Sequence, residues 1–346
     1  MAYTTINKSS DFFNTKTYSG TTNSSDALTG IGFQPDLVWL KSRSNAGWHW
    51  WTDSVRGVTK TIYSNEVTAE ETNADGVTAF GADGFTIGNN SDINGSGKTF
   101  TSWNWKAGTT GSGTTGGSGT GKAYSYSVNT TAGFSIVKYI GNGTNGHTIP
   151  HHLGAVPKMV IEKVTIGNTN NWGVYHHSMG NTKAMYLDGN STQTTDSFLN
   201  NTTPTSNYVT LGSNMSNQDG KTFIMYSFAE KTGYSKFGIY KGTSSTDGAF
   251  IYTGFKPAFF MAKCIDNQES WYIFDNKREG YNVENRDLYA DNNSVEGSAD
   301  WLDILSNGIK FRYNSIGLNG SSNNYIYMAF AEAPLVGSNN VPCTAR

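Results

Sequence analysis

Along this chain the apolar residues fall into short runs, bounded by Pro or by clusters of Gly, Asn, Ser and Thr. Leu37 to Leu40 and Met159 to Ile161 are such runs. Their β-branched and aromatic content predicts strands rather than helices. From Phe223 to Phe228 the side chains alternate: Phe223, Met225 and Ser227 lie on one face, and Ile224, Tyr226 and Phe228 on the other. Tyr325, Tyr327 and Ala329 against Ile326, Met328 and Phe330 repeat the arrangement. A strand with aromatics on both faces is covered on each side or lines an interface. Asp83-Gly84 ahead of Phe85-Thr86-Ile87, and Asn307-Gly308 ahead of Ile309-Lys310-Phe311, read as turns feeding strands. Only Asn65 to Asn73 and Ser298 to Leu305 are expected to form a helical turn or two.

The pattern occurs three times. Gly32-Phe33-Gln34-Pro35, Gly154-Ala155-Val156-Pro157 and Gly254-Phe255-Lys256-Pro257 each precede an apolar run, with Lys41, Lys163 and Lys263 six residues past the Pro. A tryptophan follows 14 or 15 residues past each Pro, at Trp50, Trp172 and Trp271. The copies close on Trp105, Phe228 and Phe330, which lie 70, 71 and 73 residues past their prolines. Lead-ins ending in Gly20, Gly141 and Gly242 precede them. The expected fold is all-β, with three tandem related β-sandwich domains of jelly-roll or lectin-like type and seven to ten strands each. Their bounds are 1–108, 122–232 and 233–334. Residues 109–121, made of Gly, Thr and Ser with Lys at the next position, read as a flexible linker or surface loop. Residues 335–346 read as a polar C-terminal tail.

Composition sharpens this picture. Of 346 residues only 15 % are charged, 13 % are aromatic and 40 are Gly, which argues against a helical bundle and against an α/β enzyme fold. The net charge of −2 gives no basic footprint for nucleic acid. No apolar run is long enough to span a bilayer, and the first residues lack the charged and apolar regions of a secretory signal. Cys264 and Cys343 form no disulfide framework.

Candidate chemistry is sparse. Trp50, Trp172 and Trp271, together with Trp105, Phe228 and Phe330, are expected in the core of the repeats. Trp48 and Trp51 have no counterparts in the other copies and are candidates for a surface patch or an oligomer contact. His49, Tyr175, His176 and His177 join them as ligand or interface candidates. Asp53 and Arg56 recur as Asp275 and Arg278, a spacing that suits turn-anchoring ion pairs. The second copy keeps neither charge. Adjacent histidines on a strand point to opposite faces, so His151-His152 and His176-His177 are read as loop or polar-face residues and not as metal ligands. No phosphate loop, dinucleotide fingerprint, nucleophile elbow or zincin helix is present. The chain therefore reads as a non-enzyme with no cofactor and no metal.

Gly32-Phe33-Gln34-Pro35-Asp36-Leu37-Val38-Trp39-Leu40-Lys41, Asp53-Ser54-Val55-Arg56-Gly57, Asp83-Gly84-Phe85-Thr86-Ile87-Gly88 and Thr101-Ser102-Trp103-Asn104-Trp105-Lys106-Ala107-Gly108 resemble repeated motifs of virion-associated proteins from marine tailed bacteriophages. Phe274-Asp275-Asn276-Lys277-Arg278, Tyr327-Met328-Ala329-Phe330-Ala331-Glu332-Ala333-Pro334 and Val341-Pro342-Cys343-Thr344-Ala345-Arg346 extend the resemblance through the third copy. It implies a structural protein on the virion surface, made in the host cytoplasm and carried on a tail fibre, tail adaptor or head fibre. Its partners would be other virion proteins and further copies of itself, with no nucleic acid and no membrane. The alternatives are a module recognising a host-surface glycan and, from a different class, a polysaccharide-degrading enzyme. The enzyme needs a pair of carboxylates across a cleft, and Glu66, Glu70 and Glu71 supply no such pair.

Overall fold

In a computed structural model that describes residues 3–213 and 215–334, the strands pair into three large antiparallel sheets and three small ones. The large sheet of the first group runs in the order Phe13–Ser19, Thr99–Trp105, Leu37–Ser42, Trp50–Asp53, Lys60–Tyr63 and Glu71–Thr72. In the second group the same path is Phe134–Ile140, Thr222–Phe228, Met159–Ile166, Gly173–His176 and Lys183–Tyr186. In the third it is Ser235–Lys241, Asn324–Pro334, Phe255–Cys264, Trp271–Asp275 and Leu288–Tyr289. The groups are called units one, two and three below. The tail expected at 335–346 lies outside the described residues.

Each large sheet is covered twice. One face packs on its own small sheet: Val38, Leu40, Trp50 and Tyr63 meet Phe85 and Ile87 in unit one, and Phe260, Ala262 and Phe274 meet Ile309 and Phe311 in unit three. Unit two repeats this with Val160, Tyr175 and Met225 against Val209 and Leu211. The opposite faces converge on one shared cluster holding Trp39, Trp51, Trp103 and Trp105 of unit one, Ile161, Trp172, Tyr226 and Phe228 of unit two, and Phe259, Met261, Trp271 and Phe330 of unit three. Period-two alternation in a doubly covered sheet thus sends every other residue to a private core and the rest to the common one.

The registers identify which residues correspond. Trp105 pairs with Leu37, Phe228 with Met159 and Phe330 with Phe259, so these three closing aromatics occupy one position. They form a triangle, with ring centroids 5.6 Å apart for Trp105–Phe330, 6.0 Å for Phe228–Phe330 and 6.4 Å for Trp105–Phe228. Edge-on contacts of this kind add to the area they bury. The lead-in glycines are explained as well. A side chain on Gly20, Gly141 or Gly242 would collide with a backbone carbonyl of the loop that precedes the closing strand. In that loop the buried amides of Asn94, Asn217 and Asn319 accept from the backbone N–H of Thr21, Asn142 and Thr243, each at 2.9 Å.

Two expectations are corrected. The Gly/Ser/Thr stretch is no linker: Thr109–Thr114 pairs with Ala123–Asn129 and extends the large sheet of unit two, while Gly116–Gly117 pairs with His147–Pro150. The rings of Tyr126 and Tyr124 lie directly over Gly111 and Gly113 opposite them, in space that a Cβ would take. Nor are the two helical stretches helical. Leu302–Leu305 is a strand and 65–73 is loop with a short strand at Glu71–Thr72, whereas the described single-turn helices lie at Ser91–Asn94 and Ile316–Asn319.

A shared core makes the units mutually dependent. Phe330→Ala removes a ring that touches aromatics of all three units, and should cost about 3–5 kcal/mol. Denaturant unfolding followed by tryptophan fluorescence and far-ultraviolet circular dichroism should show one coincident transition shifted to lower denaturant. Separate transitions, with only one moved by the substitution, would refute the shared core.

Candidate functional site

The expected ion pairs exist and sit at the seams between units. Asp53 Oδ1 accepts the backbone N–H groups of Val55 and Arg56, and Arg56 Nε donates to Oδ2 at 2.5 Å. Asp275 does the same with Lys277, Arg278 and Arg278 Nε at 2.6 Å. Each carboxylate also takes one bond from a neighbouring unit. Tyr226 of unit two donates to Asp53 at 2.8 Å, and Trp103 of unit one donates to Asp275 at 2.9 Å, with the Arg278 guanidinium 5.8 Å above the Trp103 ring.

Unit two solves the same position differently. Registers place His176 with Asp53 and Asp275, and Met328 with Trp103 and Tyr226. Met328 cannot donate, so the polarity is reversed. Ser178 N–H donates to His176 Nδ1 at 3.2 Å, and His176 Nε2 donates to the Tyr327 carbonyl of unit three at 3.1 Å. Burial and the nearby His177 push His176 down to about 3, so the ring is neutral at physiological pH. His177, half-buried, reaches the Phe237 carbonyl at 3.2 Å, and Tyr175 lies in the private core of unit two.

The tryptophan equivalence needs correcting by one residue. Ser64, Leu187 and Ala290 donate their backbone N–H groups to the carbonyls of His49, Trp172 and Trp271, so His49 and not Trp50 matches the other two tryptophans. Trp172 Nε1 donates to the Tyr63 carbonyl of unit one, and Trp271 Nε1 to the Tyr186 carbonyl of unit two, both at 2.9 Å. His49 takes the bond of Trp39 Nε1 on its Nδ1 at 2.9 Å and turns Nε2 toward the Tyr289 and Asn292 carbonyls of unit three, without a hydrogen bond of normal length. Trp50 is buried in its own unit as expected of a core residue. Trp51, expected on a surface patch or at an oligomer contact, is buried against Trp172 and Tyr226 at the seam between units one and two. Trp48 remains 37 % exposed and leans on Tyr63.

The lysines six residues past each Pro are fully buried. Lys41, Lys163 and Lys263 reach across the same three seams, to the carbonyls of Asn293, Val67 and Asn190 at 3.5, 2.7 and 3.2 Å. Burial brings each ammonium down to about 8. The predicted polar residues are therefore fasteners, and they do not converge on one reaction centre. Among the described residues no group of three His, Cys, Asp or Glu is placed to hold a metal ion.

An open site lies elsewhere, in a loop of unit three. Asp53 to Tyr63 and His176 to Tyr186 span equal lengths, but Asp275 to Tyr289 is four residues longer. The longer loop walls a cavity of about 250 Å³ lined by Lys256, Asn276, Lys277, Tyr281, Asn282 and Glu284. A second cavity of about 240 Å³ shares Asn276, Lys277 and Glu332 with it and continues past Ser10 and Asn14. The loop is braced: Asn282 bonds both the N–H and the carbonyl of Ile304, at 2.9 and 3.1 Å, and Arg286 Nε donates to Glu279 at 2.6 Å. Glu284 is 1 % exposed, and burial raises its carboxyl to about 8 despite the opposing pull of Arg278. It is a neutral acid at pH 7, able to donate and to accept. Sequence reasoning missed this groove, whose signal is the extra length after Arg278.

The chain matches a family model over residues 8–334, described as a domain of unknown function, DUF7483. The chain belongs to the DUF7483 family. No curated protein and no solved structure matches it. Since the match spans all three units, the DUF7483 domain is here the whole closed body, with the fasteners and the groove inside its bounds.

Two outcomes follow. Asp275→Ala leaves Arg278 buried without its main partner, which should destabilise the fold by about 3–5 kcal/mol in denaturant titrations. An unchanged midpoint would show that the pair fastens nothing. His176 has a folded pKa near 3 against an ordinary value of 6.5, so its contribution is complete above pH 6.5 and is lost as the pH falls toward 3. His176→Gln should flatten the stability profile across that interval by about one proton, measured as unfolding free energy against pH. An unaltered slope would contradict the neutral, buried ring.

Proposed function

We propose that the chain is a non-enzymatic structural protein on the surface of a tailed bacteriophage virion, in a tail fibre, tail adaptor or head fibre, assembled with other virion proteins and further copies of itself. The observation that carries this reading is the use made of the chemically able side chains. Both buried Asp–Arg pairs take a bond from a neighbouring unit, and the three buried lysines and the indoles of Trp103, Trp172 and Trp271 hold units together across seams. Such an arrangement suits a body that must keep its shape on a particle. The motif resemblance and the low charge of 15 % point the same way.

A rigid scaffold with a polar, weakly charged surface can project loops without sticking to unrelated partners. The groove of unit three is a part of the surface shaped to meet a ligand.

The test is location. Particles of the phage encoding this chain should contain it in stoichiometric amount by quantitative mass spectrometry, and gold-labelled antibody should decorate intact particles at one site. Absence from purified particles, or labelling only after disruption, would overturn the proposal.

A further inference from the structure

We propose that the groove in unit three binds a saccharide bearing a carboxylate, with the sugar ring on Tyr281 and the carboxylate on Lys277. This deepens the surface reading by naming what the exposed body would recognise.

Tyr281 is 68 % exposed at the rim, the most exposed large hydrophobic side chain among the described residues. An aromatic face in a braced loop is a stacking platform for the apolar face of a pyranose. Inside, Asn276 lines both cavities, and its Oδ1 is buried with no hydrogen-bond partner. Glu284 lies on the wall of the same cavity.

Charge then selects the class of sugar. Lys256 is neutralised by Glu332 at 2.6 Å. Lys277 uses its backbone N–H on Asp275, while its ammonium has no partner among the described residues. With the Glu284 acid held neutral by burial, the groove carries one uncompensated positive charge. That favours an anionic ligand over a neutral one. The two adjoining cavities together fall within the size range of small-ligand clefts and accommodate more than one ring. Because Asn282 and Arg286 already hold the loop, little ordering is needed on binding.

Val55 and Ser178 stand at the position of Lys277 in units one and two, whose connections are four residues shorter, so this lysine and this loop belong to unit three alone.

The test uses isothermal titration calorimetry on the purified full chain, with oligomers of galacturonate, glucuronate and mannuronate and with their methyl esters, which keep the rings and remove the charge. At least one acid should bind about tenfold more tightly than its ester. Lys277→Met should abolish that preference, and Tyr281→Ala should weaken acid and ester alike. Both side chains are exposed, so the variants should melt with the parent protein. Failure of all three acids to bind, equal binding of acid and ester, or an unchanged preference in Lys277→Met would overturn the site. Binding by the purified chain stands or falls independently of where the protein sits on a particle, so the two proposals fail separately.

Discussion

The triangle of Trp105, Phe228 and Phe330 expresses the constraint on which the rest depends: none of the three large sheets can bury both of its faces alone. Each small sheet covers only one face. The other face carries tryptophan and phenylalanine, whose exposure would cost several kcal/mol per ring. Closing three sheets on one another removes all three faces from water at once. The hydrophobic term is non-directional, however, and fixes neither the register nor the angle of closure. The polar contacts at the seams supply that direction, because a buried donor placed wrongly loses its partner and gains nothing from solvent.

The seams also show how such a constraint tolerates change. Two of them use an aromatic donor on a buried carboxylate: Tyr226 on Asp53, and Trp103 on Asp275. At the third the donor position is Met328, and an aspartate opposite it would be a buried charge short of a partner. His176 stands there instead, keeps the acceptor role toward the turn through Nδ1, and supplies its own donor to a carbonyl. Loss of the donor, loss of the arginine and gain of histidine form one coordinated difference. The lysines vary less. Their partners are carbonyl groups, which every residue type provides, so the same residue serves at all three seams.

Much of this was legible in the sequence. Aromatics on both faces of the closing strands required double coverage, and the Asp–Arg spacing required a local pair. The assignment of Trp50 to the Trp172 position failed by one residue because Trp48-His49-Trp50-Trp51 offers several aromatics, and only strand register separates them. Trp51 was placed outside because it has no counterpart in the other copies, yet a seam can bury a residue that no single unit requires. Asn94, Asn217 and Asn319 escaped notice because asparagine is abundant in turns throughout the chain, and its role depends on a backbone N–H over seventy residues away. The Gly/Ser/Thr stretch looked structureless because composition does not report the tyrosines across the strand that give glycine a packing role.

The groove was invisible for a related reason: aligning repeats draws attention to what recurs. Residues that hold the closure are under the same demand in every unit and so repeat. A segment outside that demand can lengthen in one unit without disturbing the others. Unit two carries its private addition at the outer edge of its large sheet, as the hairpin of Thr109–Thr114 and Ala123–Asn129. Unit three carries its own between Asp275 and Leu288, where the ion pair at the base of the loop fixes its exit and leaves the tip free to vary. In a body whose interior is committed to closure, recognition belongs at such unrepeated places. There a change of ligand needs new residues at the rim and no change in the core.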